Sequence, residues 1–208
     1  MRVPAVAALL VITLSASFIQ AQNAAQRASR STLSIDPGSI GNGTYRNVAF
    51  GVQYKIPFGW VDRTEQMRDA STDPSKSLLL LAAFERPPEA QGASVNSALL
   101  ITAESASIYP GLKTAADYFG PLSDIATGKG FQVVNEPYYF EVGAKRTVRA
   151  DFSKKIDDVT MYQSSLAVLE KGSFVSFTFL GGSEDEVNEL IEKLSFSGTA
   201  RKRSQSGK

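Results

Sequence analysis

Few residues of this chain have types and spacings that could carry out chemistry. The sequence contains no histidine and no cysteine, which removes the usual general base, the usual thiol nucleophile and the usual ligands of transition metals. A serine hydrolase without histidine would need a lysine base, but no serine stands three residues before a lysine, so the Ser-x-x-Lys signature is absent. The commonest routes to acyl transfer and to zinc chemistry are therefore excluded.

The remaining candidate motifs have ordinary structural explanations. Gly128-Lys129-Gly130 lacks the glycine spacing and the following Ser or Thr of a phosphate-binding loop, and it favours the end of a helix. Asp157-Asp158 could bind calcium weakly, but no Asp-x-Asp-x-Asp loop surrounds it, which favours a solvated hairpin tip. The carboxylates from Glu184 to Glu189 could pair for acid-base work, but the first turn of a helix is stabilised by such charges.

We therefore predict that the chain has no catalytic, cofactor-binding or metal-binding residues and that it is not an enzyme. A hydrolase that uses a pair of carboxylates is the remote alternative, because Asp and Glu are the acid-base groups that the sequence still offers. The sequence does not identify the residues that would bind a ligand.

The first 21 residues have the order of a secretory signal peptide. Arg2 precedes the apolar run from Val3 to Ile12, and the small residues Ser15-Ala16-Ser17 follow. The apolar run is short for a bilayer span, and no cluster of Lys and Arg comes after it. We predict cleavage after Ala21 and a secreted or periplasmic protein without a transmembrane anchor, with an uncleaved anchor as the alternative.

The chain after the signal divides into three parts. Residues 22–43 are rich in small and polar residues, so we expect a flexible linker that cannot offset the entropy of ordering. Residues 44–197 have the length of one domain and can bury a core without disulfides. Residues 198–208 are predicted to be a disordered basic tail. The glycosylation sequon Asn42-Gly43-Thr44 would matter only in a source that glycosylates exported chains.

The distribution of charge argues against nucleic-acid binding. Residues 44–197 carry 15 basic and 20 acidic side chains, whereas the basic groups of the tail are Arg201, Lys202, Arg203 and Lys208. A nucleic-acid-binding domain would concentrate basic groups on its folded part. The tail could contact anionic lipid or wall polymer, and a solvated, frayed end is the simpler interpretation.

Hydrophobic periodicity predicts strands first and then a helix. Strands are expected at Val52–Ile56, Leu78–Phe84 and Ala98–Ala103, the last two covered on both faces. A helix is expected to begin at Thr114, and Gly120-Pro121 should kink or split it.

The second half of the domain is predicted to be a meander of antiparallel strands that a helix closes. The connections between the apolar segments are short, which forces neighbouring strands to pair. The segments are Phe131–Val142, Val148–Phe152, Tyr162–Val168 and Val175–Phe179. Ser183 and Glu186 are expected to form the capping box of the final helix. Together these elements predict an α+β fold with a mainly antiparallel sheet flanked by helices.

Two parts of the domain carry short, recognisable motifs. The first consists of Tyr45-Arg46-Asn47, Phe50-Gly51-Val52 and Ile56-Pro57-Phe58-Gly59-Trp60, and the second consists of Ser173–Leu180, Ser183–Leu194 and Ser195-Phe196. The first part resembles the entry signature of the PsbP-like superfamily, and the second resembles the closing strand, helix and Ser-Phe ending of that group. The superfamily includes PsbP, the Ran-binding Mog protein and DcrB-like bacterial envelope proteins. The resemblance implies a single α/β/α sandwich with a binding or accessory role, and it supplies no catalytic residues.

Two classes of function remain open. The chain is expected to be an accessory or binding module of the cell envelope that contacts a protein, a glycan or a small ligand through its loops, and the alternative is a structural envelope component without a discrete ligand. The candidate loops are Asp62–Ser77, Glu85–Asn96 and Glu104–Lys113. Trp60, the only tryptophan, is predicted to belong to the core and not to a ligand platform. Partners are expected to be extracytoplasmic proteins or envelope components.

Overall fold

The structure of the protein is a computed structural model that describes residues 35–68, 76–90, 92 and 94–197. The predicted signal peptide, the start of the predicted linker and the basic tail lie outside the described residues. The strands are β1 (Ser39–Gly41), β2 (Thr44–Asn47), β3 (Val52–Lys55), β4 (Val61–Asp62), β5 (Ser77–Phe84), β6 (Ala98–Ser105), β7 (Gln132–Val142), β8 (Lys145–Ile156), β9 (Val159–Glu170), β10 (Ser173–Gly181) and β11 (Leu194–Phe196). The helices are α1 (Thr64–Arg68), α2 (Ala115–Gly128) and α3 (Glu184–Ile191), with one 3-10 turn at Ala106–Ile108.

Within the described residues, the strands form two antiparallel sheets. The larger sheet has seven strands in the order β4-β5-β6-β10-β9-β8-β7, and the smaller sheet has four in the order β1-β2-β3-β11. Strands β7 to β10 lie side by side in sequence order, because short turns connect them. The predicted meander is therefore confirmed.

The seven-stranded sheet is buried on both faces. Along β10, Phe174 points into a core beneath α2, which Tyr118 and Phe119 of that helix complete. The next residue, Val175, points into the other core together with Phe177. That second core lies beneath α3 and the smaller sheet. The predicted α+β fold, a mainly antiparallel sheet flanked by helices, is confirmed, whereas the smaller sheet was not predicted.

The folded part begins before residue 44, in a segment that the sequence assigned to the flexible linker. Strand β1 pairs with β2 across the two-residue turn Asn42-Gly43, whose φ angles are 49° and 68°. Asn-Gly adopts such positive φ angles readily, and a two-residue turn of this kind matches the twist of a hairpin. The Tyr45 hydroxyl also donates a hydrogen bond to the carbonyl of Pro37 at 2.9 Å. These contacts order residues 35–43 on the domain.

Helix α2 runs without a break through Pro121, so the split predicted at Gly120-Pro121 does not occur. A proline inside a helix removes one backbone hydrogen bond, but Tyr118 and Phe119 are almost fully buried against the sheet and hold the helix there. The predicted start is confirmed: the Thr114 hydroxyl accepts from the Asp117 amide, and the Asp117 carboxylate accepts from the Thr114 amide.

Helix α3 begins as predicted at Ser183, whose hydroxyl accepts a hydrogen bond from the Glu186 amide at 3.1 Å. The Glu186 carboxylate does not return to the Ser183 amide. It accepts instead from the Gly182 amide at 2.8 Å and from the Ser97 hydroxyl on the loop before β6. The predicted capping box is therefore half formed, and its glutamate anchors the helix to the sheet.

Candidate binding pocket

A bulge in the edge strand β7 aims two polar side chains at the same face of the sheet. Asn135 lies opposite Asp151 of β8, and Tyr138 lies opposite Arg149, so three steps on β7 match two on β8. Residues three apart in a regular strand point to opposite faces, but the extra residue of a bulge reverses this. Pro137 lies within the bulge, where its missing N–H is tolerated.

Arg149 and Asp151 form a buried ion pair on the same face of the sheet as Asn135 and Tyr138. They are two residues apart on β8, so their side chains share that face, and Arg149 Nε donates to Asp151 Oδ1 at 2.7 Å. Their side chains are only 11% and 12% exposed. Ser164 lies opposite Asp151 on β9 and donates its hydroxyl to the same oxygen at 2.5 Å. Because a buried charge needs partners, these side chains hold each other in place.

The carboxylate of Asp151 is saturated with hydrogen bonds. Oδ1 accepts from Arg149 and Ser164, and Oδ2 accepts from Asn135 Nδ2 and the Tyr138 hydroxyl, each at 3.1 Å. Burial by itself would raise the pKa of Asp151, but the hydrogen bonds from Ser164 and Arg149, the charge of Arg149 and the bond from Asn135 outweigh it and lower the pKa. Asp151 is therefore held as an ionised acceptor whose lone pairs are occupied.

The guanidinium of Arg149 keeps one edge available. Nη2 donates to Ser164 Oγ at 3.0 Å and to Asn188 Oδ1 of α3 at 2.8 Å, and the guanidinium carbon lies 5.0 Å from the ring centre of Phe140. Nη1 carries two more N–H donors. Within residues 35–68, 76–90, 92 and 94–197, no acceptor takes them, and Nη1 is not among the buried unpaired atoms.

A cavity of about 230 Å³ lies over this ion pair. Its walls come from β7, β8, β9 and the first two turns of α3. Besides Arg149 and Asp151, the lining residues include Val134, Asn135, Tyr138, Tyr162, Gln163, Glu184, Val187 and Asn188. The cavity is thus a concave, mainly polar site with a fixed guanidinium edge, an arrangement suited to binding a polar molecule.

Where the structure describes them, the three loops that the sequence singled out do not line this cavity. The loop Asp62–Ser77 contains α1, and its residues 69–75 lie outside the described residues. In the second loop, Arg86 donates to the carbonyl of Ser94 at 2.5 Å. In the third, the Tyr109 hydroxyl donates to Glu104 at 2.8 Å. The pocket lies instead on strands and on the start of α3.

The other sequence candidates take structural positions. Gly128-Lys129-Gly130 ends α2, with Gly130 at a φ of 84°, and Asp157-Asp158 forms the tip between β8 and β9, as predicted. Of the carboxylates of α3, Glu184 lies at the cavity. Trp60 packs against the core beneath α3 and the smaller sheet but is only partly buried, so the prediction that it is a core residue is met only in part.

Sequence reasoning missed Arg149 and Asp151. The alternation of β8 placed them on a polar face opposite Val148, Ala150 and Phe152, and α3 covers that face as well. A usable signal was present: two opposite charges two residues apart in a strand, in the middle of a meander whose neighbouring strands bury both faces.

Two further absences hold for the part of the chain that the structure describes. It contains no cluster of three or more acidic side chains that could hold a metal ion. Nor does any helix there combine the length and the apolar character that crossing a bilayer requires.

Comparison with known proteins gives structural similarity only. No protein-family model matches the chain, and no curated protein matches it in sequence. A solved structure that is similar is the cyanobacterial PsbP, CyanoP, from Synechocystis sp. PCC 6803, at 13% identity and a TM-score of 0.49, covering 76% of this chain and 96% of that one.

Two other solved structures are also similar. PA94, a protein of unknown function from Pseudomonas aeruginosa, has 16% identity and a TM-score of 0.41, covering 75% of this chain and 97% of that one. LpqN of Mycobacterium tuberculosis, involved in cell envelope biogenesis, has 13% identity and a TM-score of 0.38, covering 68% and 76%. Similarity at this level does not carry a ligand or an activity from one protein to another.

Proposed function

We propose that this protein is an exported, non-enzymatic accessory or binding module of the cell envelope, and that its recognition site is the cavity over Arg149 and Asp151. The observation that carries the proposal is the asymmetry of the ion pair. Asp151 has all its lone pairs occupied, whereas Arg149, which also lines the cavity, has two Nη1 donors that no acceptor among the described residues takes. Such a site can hold a polar molecule without changing it.

The protonation of the pocket supports binding over turnover. A general base needs a free lone pair and a pKa near the working pH, but the pKa of Asp151 is lowered and its oxygens already accept four hydrogen bonds. Tyr138 would have to act as the acid, yet its hydroxyl proton is donated to Asp151, and burial raises its pKa. Glu184 is exposed at the cavity, and no side chain or backbone group of the described residues donates a hydrogen bond to its carboxylate.

Export is supported by the order of residues 1–21, a charged start, an apolar run and small residues before the polar segment. The expected partner is consequently an extracytoplasmic protein, glycan or small ligand. The negative balance of residues 44–197 disfavours nucleic acid.

A ligand screen on the full chain tests the binding site. Saturation-transfer NMR against neutral, anionic and cationic small polar compounds should give at least one class of ligand that protects the protein thermally. Arg149→Lys keeps the charge beside Asp151 but removes the Nη1 donors, so it should abolish that binding and leave the protein folded. Arg146→Lys, on the same strand with Arg146 exposed over the ring of Tyr139, is the matched control and should bind normally.

Three results would overturn the proposal. If no compound of any class binds, the chain is better described as a structural envelope component. Consumption of a compound by the wild type but not by Arg149→Lys would make the protein an enzyme. Retention of Met1 to Ala21 by the protein from its native source, measured by intact mass, would remove the soluble exported form.

A further inference from the structure

The free hydrogen-bonding groups of the pocket include both donors and acceptors. The carbonyl oxygen of Asn188 accepts from Arg149 Nη2, which leaves Asn188 Nδ2 as a free donor. Asn135 donates from its amide nitrogen to Asp151, which leaves its Oδ1 oxygen as an acceptor. Among the described residues, none of these free atoms has a protein partner. A ligand that satisfies all of them must itself both donate and accept.

The charge of the pocket disfavours an ionic ligand. The positive charge of Arg149 is neutralised by Asp151 at 2.7 Å, and Glu184 adds a negative charge to the lining. An anion would gain from Nη1 but would lie close to two carboxylates, and a cation would lie against the guanidinium. A carboxylate offers acceptors alone and an ammonium donors alone, so neither uses both kinds of free group.

The size and the apolar lining limit the ligand further. A cavity of about 230 Å³ is smaller than the pockets of drug-sized ligands, which begin at about 300 Å³, so it accommodates about one six-membered ring. Val134 and Val187 add aliphatic surface to the lining, and Tyr138 and Tyr162 add aromatic rings. Aromatic and aliphatic surface next to amide groups suits a ring with apolar C–H bonds and polar substituents.

We infer that the cavity binds one neutral polyhydroxylated ring, that is, a single uncharged sugar unit, either free or at the end of a larger glycan. Each hydroxyl donates one hydrogen bond and accepts two, so neighbouring hydroxyls of one ring match the free donors of Arg149 and Asn188 and the free acceptor of Asn135. This inference rests on the proposed function, because it names the ligand class of the same site.

Titration of the full chain with matched sugars tests the ligand class. The neutral probes are glucose, galactose, mannose and N-acetylglucosamine, and the charged probes are the uronic acid and the amino sugar of each ring, such as glucuronate and glucosamine for glucose. At least one neutral sugar should bind, and the charged derivative of the same ring should bind at least about fivefold more weakly, the loss expected for about 1 kcal/mol of unfavourable charge. Isothermal titration calorimetry and protein-observed NMR give both affinities.

Paired variants locate the binding. Asn188→Ala and Asn135→Ala each remove one free group, and each should weaken binding by about fivefold to tenfold, the cost of one hydrogen bond. Glu189→Ala on α3 and Glu136→Ala on β7 change the exposed neighbours outside the lining and should bind like the wild type. Thermal melting of each variant confirms that it is folded.

The outcomes separate this inference from the proposed function. Binding of a neutral sugar that depends on Asn188 and Asn135 supports both. Tighter binding of glucuronate or glucosamine, or binding of another compound class with no sugar bound, overturns the sugar inference and leaves the pocket a binding site. Sugar binding that the variants do not affect overturns it too, whereas no binding of any compound overturns both. A terminal glycan unit is distinguished from a free sugar when methyl glycosides and disaccharides bind at least as well as the monosaccharide.

Discussion

Two carboxylates on opposite faces of the seven-stranded sheet both accept tyrosine hydroxyls, but their surroundings differ. Glu104 of β6 lies on the face beneath α2 and accepts from Tyr109 at 2.8 Å and from Tyr118. Asp151 of β8 lies on the face beneath α3 and accepts from Tyr138 at 3.1 Å and from a guanidinium.

The difference shows how one kind of contact can lie within a packed core on one face and orient a charged group beside a cavity on the other. Around Glu104 the aromatic rings pack on one another: Tyr118 stacks on Phe174 at 4.5 Å, and Tyr109 meets Tyr118 edge-on at 5.5 Å. Around Asp151 the donors fix Arg149 beneath a cavity. The Glu104 carboxylate is enclosed by packed aromatic rings and completes a core. The Asp151 carboxylate orients a guanidinium that still has donors for a further hydrogen-bond acceptor.

The largest expected effect comes from removing the cation. Arg149→Met should destabilise the protein by about 3 to 5 kcal/mol, because it leaves Asp151 as an uncompensated buried charge. Arg146→Met is the matched control; Arg146 is exposed over Tyr139, at 3.6 Å from the ring centre, and its loss should cost at most about 1 kcal/mol. Urea denaturation measures both, and equal midpoints for the two variants would contradict the structural role of the ion pair.

The face beneath α3 should be sensitive to acid through Asp151. Its folded-state pKa is lowered, so it contributes stability above its unfolded pKa and loses that contribution as the pH falls through the folded value. Asp151→Asn should be less stable than the wild type at neutral pH by about 1.5 to 3 kcal/mol, and the gap should close in acid. Urea midpoints at successive pH values from about 7 to about 2 test this, and a gap that stays constant would refute it.

The face beneath α2 should be sensitive to alkali through its tyrosines. Burial, and then the hydrogen bond to Glu104, raise the pKa of Tyr109 to about 12, and the same causes raise that of Tyr118. Their neutral forms therefore contribute stability below the unfolded tyrosine pKa of about 10, and this is lost as the pH rises through the folded values.

Replacing one of these tyrosines sharpens the comparison. Tyr118→Phe keeps the stack on Phe174 but removes a donor to Glu104, so it should cost about 1 to 2 kcal/mol at neutral pH and reduce the alkaline loss of stability. Tyr139→Phe changes an exposed ring and should do neither. Ultraviolet titration of the phenols combined with denaturation reads out both effects. The assignment fails if Tyr139→Phe flattens the alkaline profile as much as Tyr118→Phe does.

The smallest effect is expected at the bulge. Tyr138→Phe removes one of the four hydrogen bonds to Asp151 and should cost about 0.5 to 1 kcal/mol, because the ring is partly exposed and water can replace the donor. The control is Tyr162→Phe, whose hydroxyl has no partner within the described residues, and it should be near neutral. If Tyr138→Phe lost as much stability as Arg149→Met, the ion pair would depend on the Tyr138 hydrogen bond, which would contradict the smaller role expected of it.

Local patterns explain which elements the sequence predicted. The meander from β7 to β10 and the starts of α2 and α3 depend on alternation, short turns and capping residues, all visible within a few positions. The smaller sheet depends on β11 pairing with β3, across more than half the chain, and periodicity does not report such pairings. Asn42-Gly43 is a local signal for the hairpin of β1 and β2, but from the sequence it was interpreted only as part of a glycosylation sequon.

The pocket was less predictable because distant elements assemble it. Arg149 and Asp151 look solvated in the alternation of β8, and they become buried only because α3 packs over the same face. Asn135 and Tyr138 look as if they face opposite sides, and only the bulge in β7 brings them together. An alternating strand predicts one polar face; it does not predict what covers that face.

The irregularity of β7 also bears on how this protein behaves at high concentration. An exposed edge strand with a regular backbone is a template on which strands of other molecules can grow into aggregates. Pro137 lacks a backbone donor, and the bulges around it interrupt the regular spacing of backbone hydrogen-bonding groups along β7. A strand of another molecule could therefore pair with a regular edge only from Tyr138 to Val142. The geometry that aims two side chains at the pocket therefore also discourages fibril growth at this edge.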